Sequence, residues 1–581
     1  MEGRSAPKRP HRIAVQAAAL SLLLNLLGIT WGLPFRFHPD EKAVSVERLI
    51  ERGTLIPESF INPSLPLLLM APVVALQDQA ARFSLLSGLA ADPLLACRLM
   101  SALSTAMAVL WFGVILERFA PGAMAAAFLL AAAPALVNFG HFATPESWLL
   151  LATVATLHQS LRHAIGESDT RALGLGLGLA VSCKYTAAAL VVPVVLAVWL
   201  RQSRETTERP TRMWLGLIPA VWAIGWILRS GQGAALAGRM RSPGDARLLH
   251  PEAALSFVRG TGWWCLALGG IALAIAAVWP RRALAEALLR AGFFSALGFV
   301  LGTPGALLSP VRFVTDLAFD AQTRVEYKGF RSPESSWGAY AQLLSDSVGP
   351  GLVLAAVVGV VLVLPKLRRL DAATLIFLSS GVALFVLVGA SGHRAMRFLV
   401  PAIPCVVWLA SRAILSVRRD AWRRGLAWAL AIGTLGQAVL MVRLFFVDSR
   451  IQAGTWLSER LGASESWGLI SNFPGYGPRL EGARLMPALR TLSRELAPEE
   501  ATRKAVEEVR RAGPEWLVVP EPYFARFVSD PDAFPEKAGF FRTLLAGGAG
   551  YSLSARFQQE GFLRPPNEFL DPEVLIFRRT P

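Results

Sequence analysis

Residues 172–200 read ALGLGLGLAVSCKYTAAALVVPVVLAVWL, a 29-residue apolar run that contains a single charge, Lys184. The run is longer than the roughly 20 residues that a helix needs to cross a bilayer. Six arginines flank it on both sides, namely Arg162, Arg171, Arg201, Arg204, Arg209 and Arg212. Because such residues concentrate in cytoplasmic loops, one straight helix would leave one cluster outside. We therefore predict a hairpin of two short helices that turns near Ser182–Tyr185 and carries Lys184 to the outer surface. The alternative is one long tilted span.

The rest of the chain has the composition of a membrane protein. Of its 581 residues, 53% are hydrophobic and 17% are charged, which argues against a large soluble enzyme. The net charge of +16 lies in short clusters between apolar segments, so we expect cytoplasmic loops and no nucleic-acid partner. With the hairpin we predict about thirteen transmembrane helices. The other spans are Ile13–Trp31, Ala96–Leu116, Gly122–Phe139, Ser147–Leu161, Met213–Leu228, Trp263–Trp279, Ala291–Gly302, Leu352–Leu364, Ala372–Ala390, Phe398–Leu415 and Leu426–Phe446.

Charge placement also predicts the orientation. Residues 1–12 are basic and precede an apolar run that is long enough to span. We expect an uncleaved first helix rather than a secretory signal, with the N-terminus in the cytoplasm. An odd number of spans then carries the C-terminus out of the cytoplasm, and the expected location is the plasma (inner) membrane. The short apolar piece Leu65–Leu76 is predicted to lie in the membrane interface.

The pattern changes after the last predicted span. From Asp448 onward, amphipathic runs alternate with short runs typical of strands. These predicted elements are Ile451–Leu461, Trp467–Ile470, Ala501–Arg511, Trp516–Val519 and Val574–Phe577. We therefore predict an all-α polytopic membrane domain over residues 1–446, followed by a small extracytoplasmic α/β domain with a mixed sheet over residues 447–581.

The first predicted outer loop holds two adjacent carboxylates, in the sequence His38-Pro39-Asp40-Glu41-Lys42. They follow the first helix by a few residues, where the membrane meets water. A carboxylate at that position suits a base that acts on a lipid-linked substrate. The alternative is an ordinary outer loop that carries solvated acids.

Further polar residues are predicted to meet these acids on the outer face. They lie at the outer ends of spans or at the hairpin turn, and they are Arg98, Glu146, Lys184, Tyr185, His393, Arg394 and Arg397. The cations could bind a phosphate diester, since arginine offers a bidentate fork and lysine a point charge. The alternative for each cation is that it snorkels or pairs with an acid. A predicted loop after Gly302 adds four charged residues, Arg312, Asp316, Arg324 and Lys328.

These residues, in this order, resemble the family 39 glycosyltransferases, the GT-C-type group of protein O-mannosyltransferases and lipid A aminoarabinose transferases. The resemblance covers the whole chain, and it depends on the order and topology of short motifs. The motifs are HPDE at 38–41, ACRL at 96–99, TPE at 144–146, GLA at 178–180, KYT at 184–186, GTP at 302–304, RFLVP at 397–401 and DSR at 448–450.

The resemblance implies an activity and a set of site residues. Family members take a sugar from a polyprenyl-phosphate carrier and transfer it, with inversion, to an acceptor outside the cytoplasm. The implied catalytic residues are Asp40 as base or acceptor-orienting acid, Glu41 beside it, and Glu146. The implied ligands of the donor phosphate are Arg98, Lys184, Arg394 and Arg397. Further candidates are His38, Tyr185 and His393.

Several properties stay open at this level. Glu146 stands where many relatives have Asp, and Phe398 where Tyr is common, so the sugar and the acceptor (protein, lipid or glycan) do not follow from the sequence. A divalent metal could share the stabilisation of the leaving phosphate, but no residues have dedicated metal spacing. The alternative functions are a transporter or lipid flippase and an inactive scaffold. A transporter should show internal repeats and charges near the membrane midplane, and neither is evident.

Overall fold

The structure is a computed structural model that describes most of the chain. The described residues are 10–82, 92–204, 224–240, 254–263, 265–267, 282–326, 336–390, 394–462, 464–482, 484–485, 496–532, 534–558, 566–567 and 569–580. The predicted span Trp263–Trp279 and the predicted span Met213–Leu228 lie largely outside these residues. His393 and Lys328 lie outside them as well.

Helices dominate the described chain as far as residue 458. The α-helices there are Pro10–Leu26, Ala43–Glu51, Leu65–Arg82, Pro93–Phe119, Ala126–Ala131, Pro134–Gly140, Pro145–Ala164, Thr170–Cys183, Val191–Gln202, Gly231–Arg239, Arg282–Gly302, Gly305–Leu308, Pro310–Glu326, Ser336–Val348, Pro350–Val363, Ala372–Gly389, Ile403–Ser416, Asp420–Leu444 and Ser449–Ser458. The 3-10 helices are Pro121–Ala123, Tyr185–Leu190, Leu364–Arg369 and Met396–Ala402.

Several of these helices have the length and composition of membrane spans. Within the described ranges, six are long and apolar enough to cross, or up to seven if one pair bent by 115° counts as one span. The six are Pro93–Phe119, Tyr185–Gln202, Ala283–Gly302, Ala372–Gly389, Met396–Ser416 and Asp420–Ser458. The polytopic helical class is therefore confirmed and the chain is an integral membrane protein, whereas the count of about thirteen spans is not confirmed.

Two predicted segments differ in the structure. The predicted span Gly122–Phe139 is divided into two short helices, Ala126–Ala131 and Pro134–Gly140, which are almost wholly buried. Pro134 has no backbone N–H and starts the second helix, so it separates the two. The apolar piece predicted to end at Leu76 continues as a helix to Arg82, because hydropathy alone cannot register its polar last turns.

The predicted hairpin is confirmed. The helix Thr170–Cys183 ends at Lys184, whose backbone is extended, and the chain then turns into the helix Val191–Gln202. At the end of this second helix, Arg201 Nη1 donates a hydrogen bond of 2.8 Å to the backbone oxygen of Ser168, just before the first helix. The chain therefore returns to the end from which it started, and Lys184 lies at the opposite end of the hairpin.

Glycines allow the first hairpin helix to pack tightly against a neighbour. A Cβ atom added at Gly174 would lie 2.3 Å from the backbone oxygen of Ala291, and one at Gly178 would lie 2.0 Å from that of Ser295. Both partners belong to the helix Arg282–Gly302. Small residues at such crossings are typical of helix packing in lipid, and here they hold the hairpin in place.

The C-terminal part of the chain forms a five-stranded mixed sheet with helices. The strands are β1 (Trp467–Leu469), β2 (Arg484–Leu485), β3 (Trp516–Pro520), β4 (Tyr551–Phe557) and β5 (Val574–Arg579), in the order β2-β1-β3-β5-β4. β1 pairs in parallel with β2 and β3, whereas β5 is antiparallel to β3 and β4. The helix Pro498–Ala512 lies between β2 and β3, and the helices Glu521–Ser529 and Pro535–Leu545 lie between β3 and β4.

This sheet confirms the predicted small α/β domain. Three strands, β1, β3 and β5, coincide with the predicted strand runs. The edge strand Tyr551–Phe557 was missed, although its sequence alternates apolar and polar residues in the pattern typical of strands. The two-residue strand β2 is too short to produce such a pattern.

Candidate functional site

One cavity brings together five of the ten candidate site residues that the sequence analysis singled out. Its volume, including the part that opens to solvent, is about 620 Å³, and it lies where the loop after the first helix meets the ends of several membrane helices. The charged and ionisable residues that line it include His38, Asp40, Glu146, Lys184, Asp320 and Arg397. Five of these six were predicted to converge on one face.

The first acid–cation pair in the cavity is Asp40 with Arg397. Arg397 Nη1 donates a hydrogen bond to Asp40 Oδ2, and the Asp40 side chain remains 43% exposed. Partial burial acts to raise the pKa of Asp40, but the Arg397 guanidinium outweighs it and holds that pKa well below its usual range. Arg397 belongs to the 3-10 helix Met396–Ala402, which leads directly into a membrane span. Asp40 is therefore ionised and faces the cavity.

The second acid–cation pair is Glu146 with Lys184. Lys184 Nζ donates to Glu146 Oε1, and both side chains are almost fully buried. Glu146 lies in the first turn of the helix Pro145–Ala164, where the helix dipole favours a negative charge. Lys184 lies at the break in the hairpin, with its ammonium 5.0 Å from the centre of the Phe398 ring. The hairpin turn thus brings this cation to the acid of the TPE motif.

His38 fixes the local geometry of the first loop. Its Nδ1 accepts a hydrogen bond of 3.0 Å from the backbone N–H of Asp40, so the ring proton belongs on Nε2. The ring packs between the aromatic rings of Phe142 and Phe569, at centroid distances of 4.2 Å and 4.3 Å. Burial lowers the pKa of His38 to about 4, so the imidazole is neutral at pH 7. His38 therefore serves as a neutral support that orients Asp40.

The structure separates Glu41 from its neighbour Asp40. Glu41 forms a bidentate pair with Arg98, with Nε–Oε1 at 2.7 Å and Nη2–Oε2 at 2.9 Å. Arg98 also donates to the backbone oxygen of Trp31 at 2.6 Å, and Glu41 accepts from the N–H of Ala143 at 3.1 Å. Neither side chain lines the cavity. This pair instead ties the first loop to the helix Pro93–Phe119 and to the turn at Ala143.

Three other candidates lie away from the cavity or outside the described chain. Tyr185 donates from its hydroxyl to the backbone oxygen of Phe60 at 2.7 Å and does not line the cavity. Arg394 does not line it either. His393 is outside the described residues.

Sequence reasoning missed a helix that contributes Asp320 to the lining of the cavity. Residues 310–326, predicted as part of a loop, form the helix Pro310–Glu326. Asp316 Oδ2 accepts a hydrogen bond of 2.7 Å from the N–H of Phe60, and Asp320 lines the cavity one turn later. The spacing of Arg312, Asp316 and Asp320 at intervals of four residues is the signal that could have revealed this polar helix face.

A metal ligand set is not assembled from the described residues. Over the ranges given above, no group of three or more His, Cys, Asp and Glu side chains lies close enough to hold a metal ion. Three carboxylates line the cavity, and two of them, Asp40 and Glu146, are each already paired with a cation. The described chain therefore offers three carboxylates at the cavity, but no preformed metal cage.

Comparisons with known proteins agree with the resemblance over part of the chain. Residues 80–227 match the model of the family described as "Dolichyl-phosphate-mannose-protein mannosyltransferase". The matched stretch is about a quarter of the 581 residues, and it contains Glu146 and the hairpin with Lys184. No curated protein matches the sequence.

Two solved structures align with nearly the whole chain. One is the crystal structure of ArnT from Cupriavidus metallidurans bound to undecaprenyl phosphate, with 13% identity, 97% coverage of each chain and a TM-score of 0.45. The other is the apo state of the same protein, with 16% identity, 97% coverage of each chain and a TM-score of 0.32.

Proposed function

We propose that this integral membrane protein is a GT-C-type glycosyltransferase that moves a sugar from a polyprenyl-phosphate donor to an extracytoplasmic acceptor, with inversion. The observation that carries the proposal is the presence of two acid–cation pairs, Asp40–Arg397 and Glu146–Lys184, in one cavity at the ends of membrane helices. The family match over residues 80–227 supports the same activity.

The chemistry of such a transfer needs both kinds of charge. An acceptor hydroxyl oxygen attacks the anomeric carbon of the sugar, and its proton passes to the carboxylate of Asp40. The bond between the anomeric carbon and the phosphate oxygen breaks, and the electron pair leaves with polyprenyl phosphate. Arg397 and Lys184 stabilise the negative charge that grows on this leaving group. One displacement of this kind inverts the anomeric centre.

The Asp40–Arg397 pair also supplies a way to activate the base. While Arg397 is bound to Asp40, the low pKa of Asp40 makes it a weak base. A donor phosphate offers Arg397 a second anionic partner, and the guanidinium that turns toward it relaxes its hold on Asp40. The pKa of Asp40 then rises, and the carboxylate becomes a better proton acceptor when the donor is in place.

Glu146 and Glu41 take different parts in this proposal. Glu146 holds Lys184 in the cavity and balances its charge before the donor arrives. Glu41 and Arg98, which are buried together, keep the first loop in position. The proposal therefore assigns Arg98 a positioning role in place of contact with the donor phosphate.

The sidedness of the site is part of the proposal. The N-terminus lies in the cytoplasm of a cell bounded by a plasma (inner) membrane, and the cavity and the C-terminal domain face outward. Reporter fusions after Arg450 are then extracytoplasmic, and fusions near Arg204 and Arg419 are cytoplasmic. A reporter near Arg204 that was found outside would contradict this orientation.

The decisive experiment measures transfer directly. Purified protein is incubated with a panel of polyprenyl-phosphate hexoses and pentoses plus a cell-envelope extract as acceptor, and release of free polyprenyl phosphate is followed. Release with at least one sugar, absent from Asp40→Asn, supports the proposal. Failure with every donor, combined with movement of a fluorescent polyprenyl phosphate across proteoliposome bilayers, would instead indicate a flippase.

A further inference from the structure

The C-terminal domain reaches into the candidate site through one short segment, residues 569–571. The Phe569 ring packs against the His38 ring with centroids 4.3 Å apart. On another side, the guanidinium carbon of Arg397 lies 5.7 Å from the centre of the same ring. Phe569 thus contacts both residues that hold Asp40. His38 binds the backbone N–H of Asp40, and Arg397 binds the carboxylate of Asp40.

The backbone of this segment is strained. Phe569 has a φ of +68° and Asp571 a φ of +44°, although neither residue is glycine. A bulky side chain rarely adopts this left-handed region, because its Cβ crowds the backbone. Such conformations persist only where the surrounding structure enforces them, and they cluster at functional sites.

Buried hydrogen bonds enforce the strained conformation. Asp571 Oδ1 accepts from the N–H of Ser449 at 2.9 Å, and the N–H of Asp571 donates to Asp448 Oδ2 at 3.1 Å. Arg450 Nη2 donates to the backbone oxygen of Phe569 at 2.8 Å. Asp448 and Arg450, both fully buried, also pair with each other. The DSR motif therefore clamps the segment at both of its strained residues.

The same motif clamps the loop that leads to His38. Trp31 Nε1 donates to Asp448 Oδ2 at 3.2 Å. The guanidinium of Arg450 lies 4.2 Å from the centre of the Phe37 ring, and its Nη1 donates to the backbone oxygen of Phe37 at 3.3 Å. One buried ion pair, Asp448–Arg450, thus ties the first loop and segment 569–571 together next to His38.

We infer that Phe569 is a positioning residue of the candidate site, through which the C-terminal domain holds His38 and Arg397, and thereby Asp40, in working geometry. The domain is then an integral part of the site rather than an appended module. The catalytic consequence rests on the proposed transferase function, whereas the positioning of the first loop does not.

The structural consequence is tested by hydrogen exchange on the full-length protein. In Phe569→Ala, amide exchange in peptides covering residues 36–42 should rise by about tenfold, because the loop loses its support on one side. Phe569→Trp, which keeps an aromatic ring, should restore slow exchange. The matched control is Phe557→Ala, which removes a ring from an edge strand of the same domain and should leave residues 36–42 unchanged.

The catalytic consequence is tested by the pH profile of kcat/KM. Phe569→Ala should lower kcat by roughly ten- to a hundredfold, as small misplacements of reacting groups do. It should also move the acid limb to higher pH, because a loosened Arg397 no longer holds the pKa of Asp40 so low. Lys42 also faces Asp40, and Glu146, Lys184 and Asp320 line the same cavity; the substitution removes none of these charged groups. Loss of folded protein alone would lower the rate without moving the limb.

The exchange of residues 36–42 in the Phe569 variants decides whether Phe569 positions the first loop. Unchanged exchange over residues 36–42 in Phe569→Ala would overturn it, as would equal increases in Phe557→Ala. If Phe569→Ala does not fold, Phe569→Leu replaces it, since leucine keeps apolar volume without the ring. Normal exchange over residues 36–42 and an unshifted acid limb in Phe569→Leu would then overturn the inference. If exchange over residues 36–42 rises in Phe569→Ala but the wild-type protein has no transferase activity, the positioning role is supported and the proposed function is wrong.

Discussion

Two adjacent carboxylates, Asp40 and Glu41, have opposite environments. Each pairs with an arginine, but the Asp40 and Arg397 side chains are 43% and 18% exposed, whereas those of Glu41 and Arg98 are 4% and 1% exposed. The first pair lines the cavity, where the proposed donor phosphate would compete for Arg397. The second pair is sealed among backbone groups that it helps to satisfy. Neighbours in sequence can therefore have separate roles, because the adjacent side chains of this loop point to different partners.

The largest expected effect comes from the exposed acid. Asp40→Asn should lower turnover by about 10²–10⁴-fold, since an amide keeps the shape of the side chain but cannot accept a proton. Expression and donor affinity should stay near normal, which separates a base from a binding residue. The measurements are turnover and donor affinity with an authentic donor.

The matched control for this variant is Glu41→Gln, one residue away. It should cost less turnover per folded molecule than Asp40→Asn. Near-normal turnover in Asp40→Asn would mean that Asp40 and Glu41 are ordinary loop acids, and that Asp40 does not act as the base.

The next effect falls on stability and comes from the buried pair. Arg98→Ala leaves the Glu41 carboxylate buried without its cation, which should destabilise the protein by about 3–5 kcal/mol. Thermal unfolding in detergent, followed with and without donor, measures the loss. A variant as stable as the wild type, but unable to bind donor, would return Arg98 to the set of donor-phosphate ligands.

A smaller effect is expected for the cations of the cavity. Lys184→Ala and Arg397→Ala each remove one charge-assisted contact to the donor phosphate, worth about 1.5–3 kcal/mol or roughly ten- to a hundredfold in affinity. Titration of the donor phosphate lipid measures this loss. Arg98→Ala, compared per folded molecule, should show little change in affinity.

Arg397→Ala should also shift the acid limb of the pH profile of kcat/KM, and Lys184→Ala should shift it less. With its strongest cationic partner removed, the pKa of Asp40 rises, and the acid limb of kcat/KM moves to higher pH. Unchanged donor affinity in both variants, together with an unshifted limb, would mean that these cations only pair with acids at the interface.

Hydropathy and charge predicted much of the fold. The apolar run with Lys184 and its flanking arginines predicted the hairpin, because burial in lipid and basic cytoplasmic loops act on contiguous stretches of sequence. The change after Asp448 to amphipathic runs that alternate with short strand-like runs predicted the α/β domain, because such patterns are also local in the sequence. The segment around Pro134 was misjudged because its apolar run is long enough for one span, although Pro134 divides it into two short helices. The helix Pro310–Glu326 was missed because it lacks a long apolar pattern.

The sequence by itself determined the polytopic helical class, the hairpin, the small mixed sheet and the residue types that meet near Asp40. Only the tertiary structure decided which acid faces the cavity, which cation each acid binds, and that Phe569 from the far end of the chain supports His38. Asp40 and Arg397 are 357 residues apart, and no local pattern encodes such a pairing. Partners of this kind are selected by the packing of whole helices and domains, which depends on many distant contacts at once.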